Sequence, residues 1–154
     1  MTKLYVASSW RNEYYPTVLK ALRNAGHDCY DFRNPSDSNP GFAWSKVDPK
    51  WKDWDLNQYT NALLHPLSKD GFANDKNALD WCEQLVLVLP CGRSAHSEAG
   101  YAAGQGKKVH VFIPQLEEPE LMYLLFTTIS GNIDGLLYGL YKHKERPTQT
   151  VHGG

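Results

Sequence analysis

Leu85-Val86-Leu87-Val88-Leu89-Pro90-Cys91-Gly92-Arg93-Ser94-Ala95-His96-Ser97-Glu98-Ala99-Gly100-Tyr101 is the stretch that decides the fold. It opens with an unbroken apolar run, Leu85 to Leu89, rich in branched side chains. Such a run fits a strand buried on both faces of a parallel sheet. Pro90 ends it, because proline has no N–H for the ladder. Cys91-Gly92-Arg93 turns the chain, and Ser94 is placed to cap the helix that follows. Ala95, Ala99, Gly100, Ala102, Ala103 and Gly104 keep that helix slim enough to lie close to the sheet or another helix. Glu98 is expected near its first turn, above the carboxyl end of the strand.

That placement carries chemistry. Open α/β sheets bind ligands outside the carboxyl ends of their strands. The helix start offers free N–H groups and a partial positive charge, which suits phosphate. Gly92 admits close backbone approach, and Arg93 and Ser94 add donors. Glu98 adds a carboxylate to the same cleft. Two readings of Glu98 stand at this point: a catalytic carboxylate, or an acid that balances the helix dipole.

Upstream, Lys3 to Ala7 reads as a first strand, followed by the polar loop Ser8-Ser9-Trp10-Arg11-Asn12. Ser8, Ser9 and Trp10 therefore face the same cleft, as ligand contacts or as an ordinary turn. Glu13 to Asn24 has helical spacing, with Pro16 tolerated in the first turn and Gly26 closing the helix. His27 to Phe32 reads as a second strand, completing a right-handed strand–helix–strand unit. Arg33 to Asp55 is a polar segment with three prolines, and with Phe42, Trp44, Trp51 and Trp54. Long segments of this kind are often lids; the alternative is a loop pinned down by its own aromatics. Leu56 to Ser68 reads as a helix broken at Gly71, with a second short helix over Phe72 to Trp81.

Downstream, Lys108 to Ile113 is the next strand. Glu117 to Phe126 reads as a helix, Thr127 to Ser130 as a short strand, and Ile133 to Lys142 as the last helix. Residues 145–154 read as a frayed tail behind one domain over 1–144. The expected fold is α/β, a flavodoxin- or Rossmann-like three-layer sandwich around a parallel sheet of about five strands.

The 154 residues carry 16 basic and 17 acidic side chains, so no global field favours nucleic acid or a membrane surface. The three scattered cysteines, Cys29, Cys82 and Cys91, fit free thiols in a reducing cytoplasm. No signal peptide opens the chain, and no apolar run is long enough to cross a bilayer. The histidines lack metal-ligand spacing, and His96 and Glu98, two apart on a helix, point to different sides. Gly104-Gln105-Gly106-Lys107 lacks the P-loop spacing, and no G-x-G-x-x-G follows the first strand. No metal and no cofactor are expected. Cys91 reads as a structural thiol, since no base is paired with it.

Asn74-Asp75 before the central strand, the turn and Ser97-Glu98-Ala99-Gly100-Tyr101-Ala102 after it, and Gly106-Lys107-Lys108-Val109 resemble the nucleoside 2-deoxyribosyltransferase superfamily. That group includes the 2′-deoxynucleoside 5′-phosphate N-hydrolases. The likeness spans about Lys3 to Pro114 and is specific around Asp75 to Lys108. It implies a flavodoxin-like fold, cleavage of an N-glycosidic bond, and homodimers or larger assemblies. It implies Glu98 as the nucleophile and Asp75 as the group handling the proton on the base. Nucleoside transferases of the family usually carry Asp six residues before the glutamate, and the nucleotide hydrolases Ser; this chain has Gly92 there, followed by Arg93 and Ser94. Losing that carboxylate and gaining Arg93 favours a phosphorylated ligand.

The expected function is therefore hydrolysis or base transfer at a nucleotide or nucleoside. Ser8, Ser9, Trp10, Trp44, Gly92, Arg93 and Ser94 are the expected substrate contacts. The rival is a nucleotide-binding or signal-sensing module that uses the same cleft without chemistry.

Overall fold

A computed structural model describes residues 1–144. Five parallel strands form one sheet in the order β2-β1-β3-β4-β5. They are β1 (Lys3–Ala7), β2 (Asp28–Asp31), β3 (Gln84–Val88), β4 (Lys108–Phe112) and β5 (Thr128–Ser130). The helices are α1 (Tyr15–Asn24), α2 (Trp44–Val47), α3 (Leu56–Leu63), α4 (Pro66–Trp81), α5 (Arg93–Gly104) and α6 (Ile133–Lys142). No helix among the described residues is long and apolar enough to cross a membrane.

The period-2 alternation of the strands divides the core in two. Tyr5, Ala7, Leu85, Leu87, Val109 and Val111 face α4 and α5, where Ala95, Ala99 and Ala102 let α5 lie close. Leu4, Val6, Val86, Val88 and Phe112 face α1 and α6. Every residue of β3 is buried, as its continuous apolar run requires. The chain crosses from one face to the other between β1 and β3. Strand order reverses there, and the flanking loops part to leave a crevice at the carboxyl ends.

Several local expectations are corrected. The break after α3 falls at His65-Pro66, not at Gly71. Proline forces His65 into an extended conformation and then serves as the first residue of α4. Gly71 lies inside α4, and its missing side chain makes room for Phe42, to which a Cβ there would stand 3.1 Å away. The segment 117–126 is not an α-helix; it holds only a 3₁₀ turn, Leu121–Leu125. The segment 33–55 is not a bare loop, since it forms α2 and a 3₁₀ turn at Trp51–Asp53. The expectation for the tail, 145–154, lies outside the described residues.

Candidate active site

A cavity of about 950 Å³ opens at the carboxyl end of the sheet. Its walls come from the loop after β1, the segment after β2, one face of α4, and the turn into α5. Ser8, Ser9, Trp10, Trp44, Asp75, Gly92, Arg93, Ser94 and Glu98 all line it. Residues scattered over ninety positions thus meet in one crevice because the parallel topology returns each loop to the same end.

Glu98 forms one of its walls. It lies in the second turn of α5, two residues further in than a cap at Ser94 would place it, and no acidic residue occupies the first turn. Balancing the helix dipole is therefore not its role, since that effect falls off within the first turn. The Tyr5 hydroxyl donates a hydrogen bond to Glu98 Oε2. Burial pushes the Glu98 carboxyl up to about 8.

Asp75 projects from α4. Its Oδ1 accepts a hydrogen bond from the Tyr30 hydroxyl at 2.8 Å. Burial raises its carboxyl above the ordinary range, and the Tyr30 hydrogen bond opposes that rise. Neither tyrosine was singled out in the sequence. The signal was present in outline, because alternation in β1 and β2 places both on the α4–α5 side of the sheet.

The loop after β1 is held by residues that sequence reasoning also missed. Asn12 donates to the carbonyls of Val88 and Pro90, at 3.3 and 3.0 Å, and accepts from the N–H groups of Tyr14 and Tyr15. The Arg33 guanidinium donates to the carbonyls of Ser9, Trp10 and Asn12 and lies 4.6 Å from the Tyr15 ring. The Ser8 hydroxyl is spent on the Val88 carbonyl at 2.9 Å. Ser8 thus fastens the loop to β3.

At the other side of the cavity α5 begins. Its N-cap is Gly92, not Ser94, and no side chain caps the first turn. Its leading N–H groups are left for a ligand. A Cβ on Gly92 would meet no protein atom within 4 Å, so the open space there belongs to the cavity. Arg93 and Ser94 are exposed, and Arg11 and Lys46 add further cations to the lining. The sole salt bridge among the described residues, Lys76–Asp80, involves none of these cations.

Cys91 lies behind the turn, with its thiol pushed up to about 12, chiefly by burial. Its Sγ is 3.7 Å from His96 Nδ1, which is also 2.8 Å from the Gly92 carbonyl. A nitrogen donating to a carbonyl cannot accept the thiol proton. Among the described residues no cluster of three or more His, Cys, Asp or Glu could hold a metal.

The aromatic cover differs in membership from the one expected. Trp10, Phe32, Phe42 and Trp44 line the cavity; Trp51 and Trp54 do not. Trp54 donates its indole N–H to Asp48 at 2.7 Å and packs edge-on against Trp44 from outside. The cover lies close because Gly41, at φ +82°, passes against the Trp10 ring, where a Cβ would come within 2.6 Å.

The fold is shared with solved structures. The 2-deoxyribosyltransferase of Bacillus psychrosaccharolyticus aligns over 85% of this chain and 87% of its own, at 20% identity and a TM-score of 0.54. A conserved protein of Enterococcus faecalis V583 aligns over 94% of this chain and 99% of its own, at 16% identity and a TM-score of 0.55. These overlaps establish a common architecture. The Clostridium botulinum CMP N-glycosidase BcmB overlaps more loosely, at 14% identity and a TM-score of 0.47. No protein-family profile and no curated protein matches the chain.

Proposed function

We propose that this chain cleaves the N-glycosidic bond of a nucleotide, passing the sugar to water or to a second base. One observation carries the reading: the order of groups across the sheet. Asp75 sits beside Tyr30 of β2, Glu98 beside Tyr5 of β1, and the uncapped start of α5 follows β3. The sheet order β2-β1-β3 therefore lays a base site, a central carboxylate and an anion site in a row. A nucleoside 5′-phosphate has the same order: base, anomeric carbon, phosphate. The shared architecture with a 2-deoxyribosyltransferase supports the same class of reaction.

In this account the ionised Glu98 attacks the anomeric carbon as the bond to the base breaks. The bonding electrons leave with the base, and Asp75, protonated in its desolvated position, supplies the proton that neutralises it. The product is a glycosyl ester on Glu98, as in retaining glycosidases. Water or a second base then displaces the carboxylate. Tyr5 steadies the Glu98 charge, and burial of both carboxyls keeps the unliganded site from holding two like charges.

The test is a panel of nucleotides and nucleosides assayed for free base by chromatography. Base release that disappears in Glu98→Gln supports the enzyme. Ligand-induced thermal stabilisation without release from any member supports a binding module instead.

We also propose a homodimer. Leu56, Tyr59, Leu63, Leu64 and Phe72 leave much of their apolar surface exposed along α3 and α4. Light scattering that returns a 17.5 kDa particle at micromolar concentration would remove the dimer.

A further inference from the structure

One face of α4 lines the cavity through Leu67, Asp70, Gly71, Asn74 and Asp75. Their spacing is that of a single helical stripe. Phe42 occupies the surface over Gly71, so the polar members of the stripe stand beside an aromatic wall. Asp70 and Asn74 are exposed in the cavity, and neither side chain has a hydrogen-bond partner among the described residues. Asp75 differs, since Tyr30 already engages one of its oxygens. Two polar groups aimed into a cavity with unused capacity are available to a ligand.

We propose that Asp70 and Asn74 select the leaving base, and that the preferred base carries an exocyclic amino group beside a ring nitrogen. This deepens the preceding reading and rests on it. If phosphate occupies the start of α5 and Glu98 faces the anomeric carbon, the base falls against α4. A carboxylate only accepts hydrogen bonds, whereas an amide both gives and accepts. Asp70 with the Asn74 oxygen asks for N–H donors, and the Asn74 amino group asks for one acceptor. A 4-aminopyrimidine or a 6-aminopurine offers both on one edge. The corresponding oxo base presents a carbonyl oxygen where the amino group was. It would face a carboxylate and be rejected by repulsion.

The test compares matched amino and oxo 5′-monophosphates, cytosine against uracil and adenine against hypoxanthine, on wild type, Asp70→Asn and Asn74→Ala. Wild type should favour the amino member of at least one pair roughly tenfold or more in kcat/KM. Asp70→Asn should bring that ratio near one, chiefly by improving the oxo substrate. Asn74→Ala should weaken the amino substrate selectively. The same pairs are measured for binding to Glu98→Gln by calorimetry, which reads base selection without turnover. Equal binding of amino and oxo ligands, or a ratio unmoved by Asp70→Asn, overturns the proposal. No release from any nucleotide, with amino-selective binding abolished by Asp70→Asn, overturns the catalytic reading and leaves base selection standing.

Discussion

Tyr5 of β1 and Tyr30 of β2 are register partners, and their rings stack with centroids 5.1 Å apart. One hydroxyl ends on Glu98, the other on Asp75. Strand pairing therefore sets side by side the two hydroxyls that hold the two carboxyls. If Glu98 attacks as an anion, kcat/KM for a substrate whose leaving group needs no proton from Asp75 should climb with pH toward about 8. Tyr5→Phe removes a donor that favours the charged form, so the rising limb should move to higher pH and kcat should fall. Tyr30→Phe should leave that limb in place. A limb unmoved by Tyr5→Phe would detach Tyr5 from the ionisation of Glu98.

The same burial has a consequence for stability. Glu98 titrates near 4.5 when unperturbed and at about 8 in the fold. Between those values the folded state binds more protons than the unfolded state, so stability falls as pH rises. A shift of that size sets an upper bound of about 5 kcal/mol. Water reaches the carboxyl through the open cavity, and about 1–3 kcal/mol is the expected effect. Glu98→Gln should thus be more stable than wild type at pH 8.5, with the gain vanishing near pH 4. Thermal melts of both proteins across that range check it; a variant less stable at pH 8.5 contradicts it.

Arg93 should distinguish nucleotide from nucleoside. It is exposed at the uncapped start of α5, where a phosphate would meet both N–H groups and a guanidinium. A charge-assisted contact is worth roughly 1.5–3 kcal/mol. Arg93→Ala should weaken nucleotide binding by about one to two powers of ten and leave nucleoside binding nearly unchanged. The nucleotide preference should also shrink as salt rises. Equal losses for both ligands would remove Arg93 from the anion site.

Ligand should be visible to some tryptophans and not to others. Trp10 and Trp44 line the cavity, while Trp51 and Trp54 lie outside it. Saturating nucleotide should change the emission of wild type. Replacing Trp10 and Trp44 with Phe should abolish most of that change, and replacing Trp51 should not. A response that survives in the first variant would place the ligand elsewhere.

The fold was legible because its strongest signals are local. The run Leu85 to Leu89 and the small residues after it need no distant information to be read as a strand and a close-packed helix. The candidate site residues share a cavity because topology brings the loops together, and topology followed from the strand–helix alternation. What escaped the sequence is non-local. Arg33 holds the Ser9–Asn12 carbonyls across more than twenty residues of chain. Gly71 looks like a helix breaker until Phe42 packs on it. Ser94 has the chemistry of a cap, but the chain enters the helix two residues earlier, at Gly92. Trp51 and Trp54 cannot be told from Trp44 by composition; only the path of α2 and the following 3₁₀ turn separates them.

In the proposed reaction Glu98 takes the sugar from the base. Its most direct measurement is intact-protein mass spectrometry on enzyme quenched in acid during turnover of a 2-fluoro-substituted nucleotide, whose electron-poor sugar slows breakdown of the ester. A mass increase of one glycosyl phosphate is expected, mapped by peptide analysis to Glu98 and absent in Glu98→Gln, with at least one free base released per adduct. Base release at full rate by Glu98→Gln, or an adduct on any other residue, would contradict it.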